Sequence, residues 1–84
     1  MSLSENEIQK LISEKIYALT YKKISSPQEE LIESGILNSI TMVELAVELE
    51  KSFAVSLSFM EVVRENFSTV EKIQTLLQKK SVAI

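Results

Sequence analysis

The chain has a single glycine, Gly35, and a single proline, Pro27, in 84 residues. That scarcity constrains the fold more than any other feature. Tight hairpins and phosphate-cradling loops need backbone at positive φ, which glycine adopts without steric cost. An all-β fold would lack its turns, and a glycine-rich nucleotide loop cannot be built. What remains is a chain that turns rarely and fills the intervals with helix. At 45% hydrophobic and 25% charged residues the composition is that of a globular protein. The length suits one small domain, taken as residues 1–84.

Helical periodicity accounts for most of the sequence. Residues 5–20 carry Ile8, Leu11, Ile12, Ile16 and Leu19 within one arc of about 140°, an amphipathic helix. Ser4 with Glu7 has capping-box spacing at its start. Residues 39–53 form the most apolar helix. Met42, Val43, Leu45, Ala46, Leu49 and Phe53 cover a broad arc, which predicts a central helix contacted on two flanks. Residues 58–63 read as a short helix, with Ser58 and Glu61 as its box. Residues 69–79 form a last helix, with Val70, Ile73, Leu76 and Leu77 on one side and Ser68 with Glu71 as its cap. Between the first two helices lies a long irregular stretch, 21–38. It holds an expected turn at Ser26-Pro27-Gln28-Glu29, and its Leu31, Ile32, Ile36 and Leu37 are apolar enough to lie on the core. The expected fold is all-α: a small four-helix bundle with three main helices, a short third helix and a long loop between helices 1 and 2.

Composition also removes chemistries. Without cysteine there is no disulfide, thiolate metal site or cysteine nucleophile. Without histidine there is no Ser-His-Asp triad and no imidazole base. The remaining acids and bases form no recognisable cluster, and Glu29, Glu30 and Glu33 read as a solvated face. The expectation is therefore a protein that is not an enzyme and holds no metal. A net charge of −3 argues against nucleic acid. No apolar run approaches the length of a membrane span. Met1-Ser2-Leu3-Ser4-Glu5 has neither the basic nor the apolar region of a secretory signal, so the expected location is cytoplasmic.

One serine differs from the rest. Ser4, Ser26, Ser58 and Ser68 each have a glutamate three residues later, but Ser39 is followed by Met42. Asn38 is a competent N-cap by itself. With Asn38 as the cap, Ser39 is the first helical residue, and its hydroxyl points outward at the positive end of the helix dipole. Free backbone N–H groups and the dipole both favour an anion there, so a phosphate ester is suited to the place. Two plainer readings compete: Ser39 as a second capping serine, or Thr41 with Glu44 as the true cap.

The surroundings of Ser39 carry a family likeness. Gly35-Ile36-Leu37-Asn38-Ser39-Ile40, then Met42-Val43-Glu44-Leu45, Leu49-Glu50 and Phe53, resembles the acyl and peptidyl carrier proteins. Their Asp-Ser-Leu and Val-Glu-Leu read here as Asn38-Ser39-Ile40 and Val43-Glu44-Leu45. Phe53-Ala54-Val55 is similar to that family's helix exit, and Glu65-Asn66-Phe67-Ser68-Thr69-Val70 to the start of its last helix. The interval from Phe53 to Thr69, and Gly35-Ile36-Leu37, are closest in pattern to D-alanyl carriers and to stand-alone carriers of secondary-metabolite and nonribosomal pathways.

The resemblance implies a covalent 4′-phosphopantetheine on Ser39, placed there by a phosphopantetheinyl transferase, with Asn38 at the adjacent motif position. The thiol ending that arm would hold an acyl or aminoacyl group as a thioester, supplied by a loading enzyme and passed to a downstream acyltransferase or synthase. Asn38 replaces the family's Asp, keeping size and capping ability but losing a charge. Lys51 stands where fatty-acid carriers usually have an acid. Ile40, Glu44, Val47 and Lys51 fall within about 60° of one another on the helix, beginning beside Ser39. That stripe is the expected partner surface of a monomeric carrier, unless Ile40 and Val47 pack against the 21–38 loop or the short helix. The competing function is a small helical interaction module, or a carrier homologue left unmodified because of Asn38.

Overall fold

The computed structural model describes residues 3–80. Over them run four helices: α1, Glu5–Thr20; α2, Ser39–Phe53; α3, Arg64–Phe67; and α4, Val70–Lys80. The all-helical bundle expected from the periodicity is borne out, with no strand among the described residues. Among the described residues no helix is long and apolar enough to cross a membrane.

Helix α1 starts where its box places it. The Ser4 hydroxyl accepts from the Glu7 N–H at 3.2 Å, and the Glu7 carboxylate accepts from the Ser4 N–H at 3.0 Å. Ile8, Ile12 and Ile16 are fully buried, with Leu11 and Leu19 on the flanks of the same face. α1 packs against both α2 and α4, while α3 packs on α4. In α2 the buried residues are Leu45, Ala46, Leu49 and Phe53. Truncating a fully buried leucine such as Leu45 to alanine costs about 2–5 kcal/mol. The apolar arc of α2 is narrower at the core than its sequence suggests, because Val43 is exposed.

The scarcity of glycine has a visible result. α1 and α2 both end on a left-handed residue, and these are Tyr21 at φ 60° and Ala54 at φ 54°. Each costs roughly 1 kcal/mol of backbone strain that glycine would avoid. The sole glycine, Gly35, stands at φ 84° just before α2. A Cβ there would meet nothing within 4 Å, so the backbone angle alone calls for glycine.

Three expected caps shift by a residue or more. The short helix over 58–63 is instead a turn, and the helical residues are Arg64–Phe67. Glu61 does accept from the Ser58 N–H, but Val63 is extended at φ −131° and ψ 161°, which interrupts the helix before α3 begins. At α4, Thr69 rather than Ser68 caps the helix. Its hydroxyl accepts from Lys72, while Ser68 Oγ is buried without a partner. Glu71 cannot complete the expected box, because its carboxylate accepts from Gln28 and its N–H donates to the Pro27 carbonyl. In the loop, Glu29 accepts from the backbone N–H and hydroxyl of Ser25, not Ser26.

The 21–38 loop lies on the core as expected. Leu31 and Leu37 are buried, and Ile24, Ile32 and Ile36 pack against the same cluster. The Leu31 N–H donates to the Ser68 carbonyl and the Leu37 N–H to the Leu31 carbonyl, each at 2.8 Å. These bonds tie the approach to α2 to the α3–α4 junction.

Candidate functional site

The start of α2 is built by Asn38. Its backbone is extended, and Oδ1 accepts from the N–H groups of Ile40 and Thr41, both at 2.9 Å. Thr41 reciprocates, with Oγ1 accepting the Asn38 N–H at 2.8 Å. The Met42 N–H reaches the Asn38 carbonyl at 2.8 Å. The plainer readings of this turn are therefore excluded: Ser39 is not the cap, and Thr41 serves Asn38 rather than starting the helix with Glu44.

Ser39 is then the first residue of α2 and is exposed. Among the described residues its hydroxyl takes no part in the capping network. The anion-favouring environment is leaner than expected, however. Asn38 occupies the amides of Ile40, Thr41 and Met42, so the Ser39 N–H is the remaining open amide of the first turn. The helix dipole still acts there, and no acidic residue occupies the first turn.

A shallow cavity of about 180 Å³ opens beside Ser39, lined by Ile32, Asn38, Ser39, Met42 and Arg64. Arg64 was not singled out by any local pattern. It arrives from α3, 25 residues further along. Its guanidinium lies 3.7 Å from a Glu33 carboxylate oxygen, with the two side chains 66% and 70% exposed, a contact worth little in water.

The stripe on α2 faces outward. Ile40 is 71% and Val47 43% exposed, and Glu44 and Lys51 are exposed as well. Neither apolar member is covered by the 21–38 loop or by α3. Val43 joins them, as do Phe59 and Met60 of the α2–α3 connection. A second hollow of about 190 Å³ lies between these parts, lined by Val43, Val47, Leu57 and Phe59 among others. Phe59 and Met60 were missed as surface residues because their segment read as helix.

The carboxylates held below their usual range lie elsewhere. Glu7 is lowered by the Ser4 backbone and hydroxyl, and Glu29 by the Ser25 hydroxyl and backbone. Glu61 is lowered by the Ser58 backbone and then by the Lys80 ammonium. None of them lines the cavity at Ser39.

Known proteins resemble this chain. A D-alanyl carrier protein of Lactococcus lactis subsp. cremoris (strain MG1363) is 42% identical over 52 residues, 62% of this chain and 66% of the relative. The D-alanyl carrier protein of Streptococcus uberis (strain ATCC BAA-854 / 0140J) is 44% identical over 45 residues, 54% of this chain and 57% of the relative. The matched stretch spans less than two thirds of the length of these relatives. The family described as "Phosphopantetheine attachment site" matches residues 6–77, from the first turn of α1 to within the last turn of α4. With that match covering most of its length, the chain belongs to the phosphopantetheine-attachment family, and 4′-phosphopantetheine is its covalent group.

Proposed function

We propose that residues 1–84 form a single carrier domain in which Ser39 Oγ bears the phosphopantetheine arm and partner enzymes load and unload it. The observation that carries this reading is the exposed Ser39 hydroxyl at the head of α2, left free because Asn38 and Thr41 do the capping. When bound, the arm supplies a terminal thiol on which an acyl or aminoacyl cargo rides. The likeness to D-alanyl carriers favours an aminoacyl cargo.

The roles of the chain's own residues follow from their placement. During attachment Ser39 Oγ attacks the pantetheine-bearing phosphorus of coenzyme A; the new phosphodiester forms as the pyrophosphate linkage breaks and adenosine 3′,5′-bisphosphate leaves. The Ser39 hydroxyl proton passes to a base on the phosphopantetheinyl transferase, since this chain has no histidine and no carboxylate lines the cavity. Asn38 holds the backbone that presents Ser39. Ile40 and Val47 supply apolar contact to the transferase, the loading enzyme and the downstream acyltransferase or synthase, while Glu44 and Lys51 set orientation by charge. The chain itself catalyses nothing in this scheme and works as a cytoplasmic monomer.

The test is the intact mass after incubation with coenzyme A and a broad-specificity phosphopantetheinyl transferase. Wild type gains one phosphopantetheine and Ser39→Ala gains none. An unmodified wild type would support the interaction-module reading, with Asn38 as the cause. Val47→Asp slows loading while changing stability by no more than about 0.5 kcal/mol, and Lys51→Glu alters the preference among partners. Loading that is indifferent to both variants would remove the stripe from the scheme.

A further inference from the structure

We propose that Arg64 is the resident counter-charge of the arm's phosphodiester and steers the arm across the mouth of the Ile32–Met42 cavity. The inference rests on Ser39 being the attachment point. Three independent features lead to it. Ser39 and Arg64 line the same cavity, although 25 positions separate them in sequence, and Arg64 is the ionised side chain among its lining residues. The position before the serine is the neutral Asn38, and the first turn of α2 has no acid, so nothing there repels a phosphate or competes with it for the guanidinium. The one carboxylate that Arg64 does meet, Glu33, stands at 3.7 Å in open solvent.

The chemistry is matched. A guanidinium presents a planar fork of N–H donors that two phosphate oxygens can accept together, and charge-assisted bonds of this kind outcompete a loose, solvated carboxylate contact. The Ser39 N–H and the positive end of α2 add to the same field. Ile32 and Met42 form an apolar floor beside the ester oxygen. The arm carries a dimethyl-substituted carbon close to its phosphate, and such a floor suits it. Arg64 is thus a positioning residue. It biases the direction in which the arm leaves Ser39, toward the cavity lined by Ile32, Met42 and Arg64.

The experiment compares apo and holo protein by NMR, with attachment verified by intact mass. In wild type the Arg64 Nε–H resonance should shift on conversion to holo, and the arm's ³¹P resonance should differ from that of holo Arg64→Gln. Both differences should shrink in 1 M salt, where the screening length falls to about 3 Å. Holo Arg64→Lys, which keeps the charge without the fork, should recover part of the ³¹P difference. Mass gain with an unmoved Arg64 resonance, or identical ³¹P signals in wild type and Arg64→Gln, overturns this inference and leaves Ser39 attachment intact. Absence of mass gain overturns both.

Discussion

Helices α1 and α2 begin with the same reciprocal hydrogen-bonded box and put it to different use. At α1 the cap is Ser4, its hydroxyl is engaged by the Glu7 amide, and Glu5 and Glu7 place two acids in the first turn. At α2 the cap is the amide side chain of Asn38, the answering group is the neutral Thr41, and no acid is present. The serine at α2 stands one residue inside the helix, outside the box. Moving the capping duty from a hydroxyl to a carboxamide releases a hydroxyl at nearly the same point in the helix field. Replacing a glutamate by a threonine keeps negative charge away from it. One helix start uses its serine as the cap, and the other leaves its serine exposed.

The most direct way to break that distinction is to delete each side chain in turn. Ser4→Ala and Asn38→Ala should each lose about 0.5–2 kcal/mol in chemical denaturation, as cap deletions do. Ser39→Ala should stay within about 0.5 kcal/mol of wild type. A loss at Ser39 equal to that at Ser4 would show that the two serines do the same job.

A finer probe restores the missing charge. Asn38→Asp should leave stability within about a few tenths of a kcal/mol, because the two residues cap alike. The transferase should modify it faster at equal enzyme. An equal or slower rate would mean that neutrality at this position is immaterial to recognition.

The smallest effect is one of pH. The Ser4 backbone and hydroxyl hold the folded Glu7 carboxyl below its usual value. The box at α1 therefore contributes fully above the ordinary carboxylate pKa and is lost as pH falls through the lowered one. The box at α2 has no titrating member. Amide resonances of Ser4 and Glu7 should titrate together below the usual carboxylate range, while those of Asn38 and Thr41 stay still. Movement of the α2 amides over the same range would contradict the assignment.

Much of this was legible in the residues, for reasons that also explain the rest. α1 and α2 are long, and each has a local cap and a periodic apolar face, so spacing alone placed both starts. Ser39 stood out because a simple pattern, serine followed by glutamate, failed at that one helix start. The same pattern misled at Ser26, Ser58 and Ser68. There the carboxylate is taken or shared by another group: Glu29 by the preceding Ser25, Glu61 by Lys80 from α4 at 2.9 Å as well as by the Ser58 N–H, and Glu71 by Gln28 of the long loop. Capping spacing predicts a helix only where no other group, near or distant, competes for its members. That Arg64 lines the cavity at Ser39 was illegible for a related reason. It depends on how the α2–α3 connection crosses the end of the bundle, and no periodicity encodes that crossing.

The bonds from the 21–38 loop to the α3–α4 junction also set an order of events as the chain is made. The Leu31 N–H needs the Ser68 carbonyl, and the Pro27 carbonyl receives the Glu71 N–H. Until Glu71 has left the ribosome, those two groups have only water, and the segment leading into α2 is held by its own local bonds alone. α2 can coil earlier, since Asn38 and Thr41 are local to it. Its serine acquires a fixed setting only when α4 has begun to dock. A transferase that recognises the folded surface would thus act after translation of the last helix, and a truncated nascent chain would escape being charged with an arm it could not yet present.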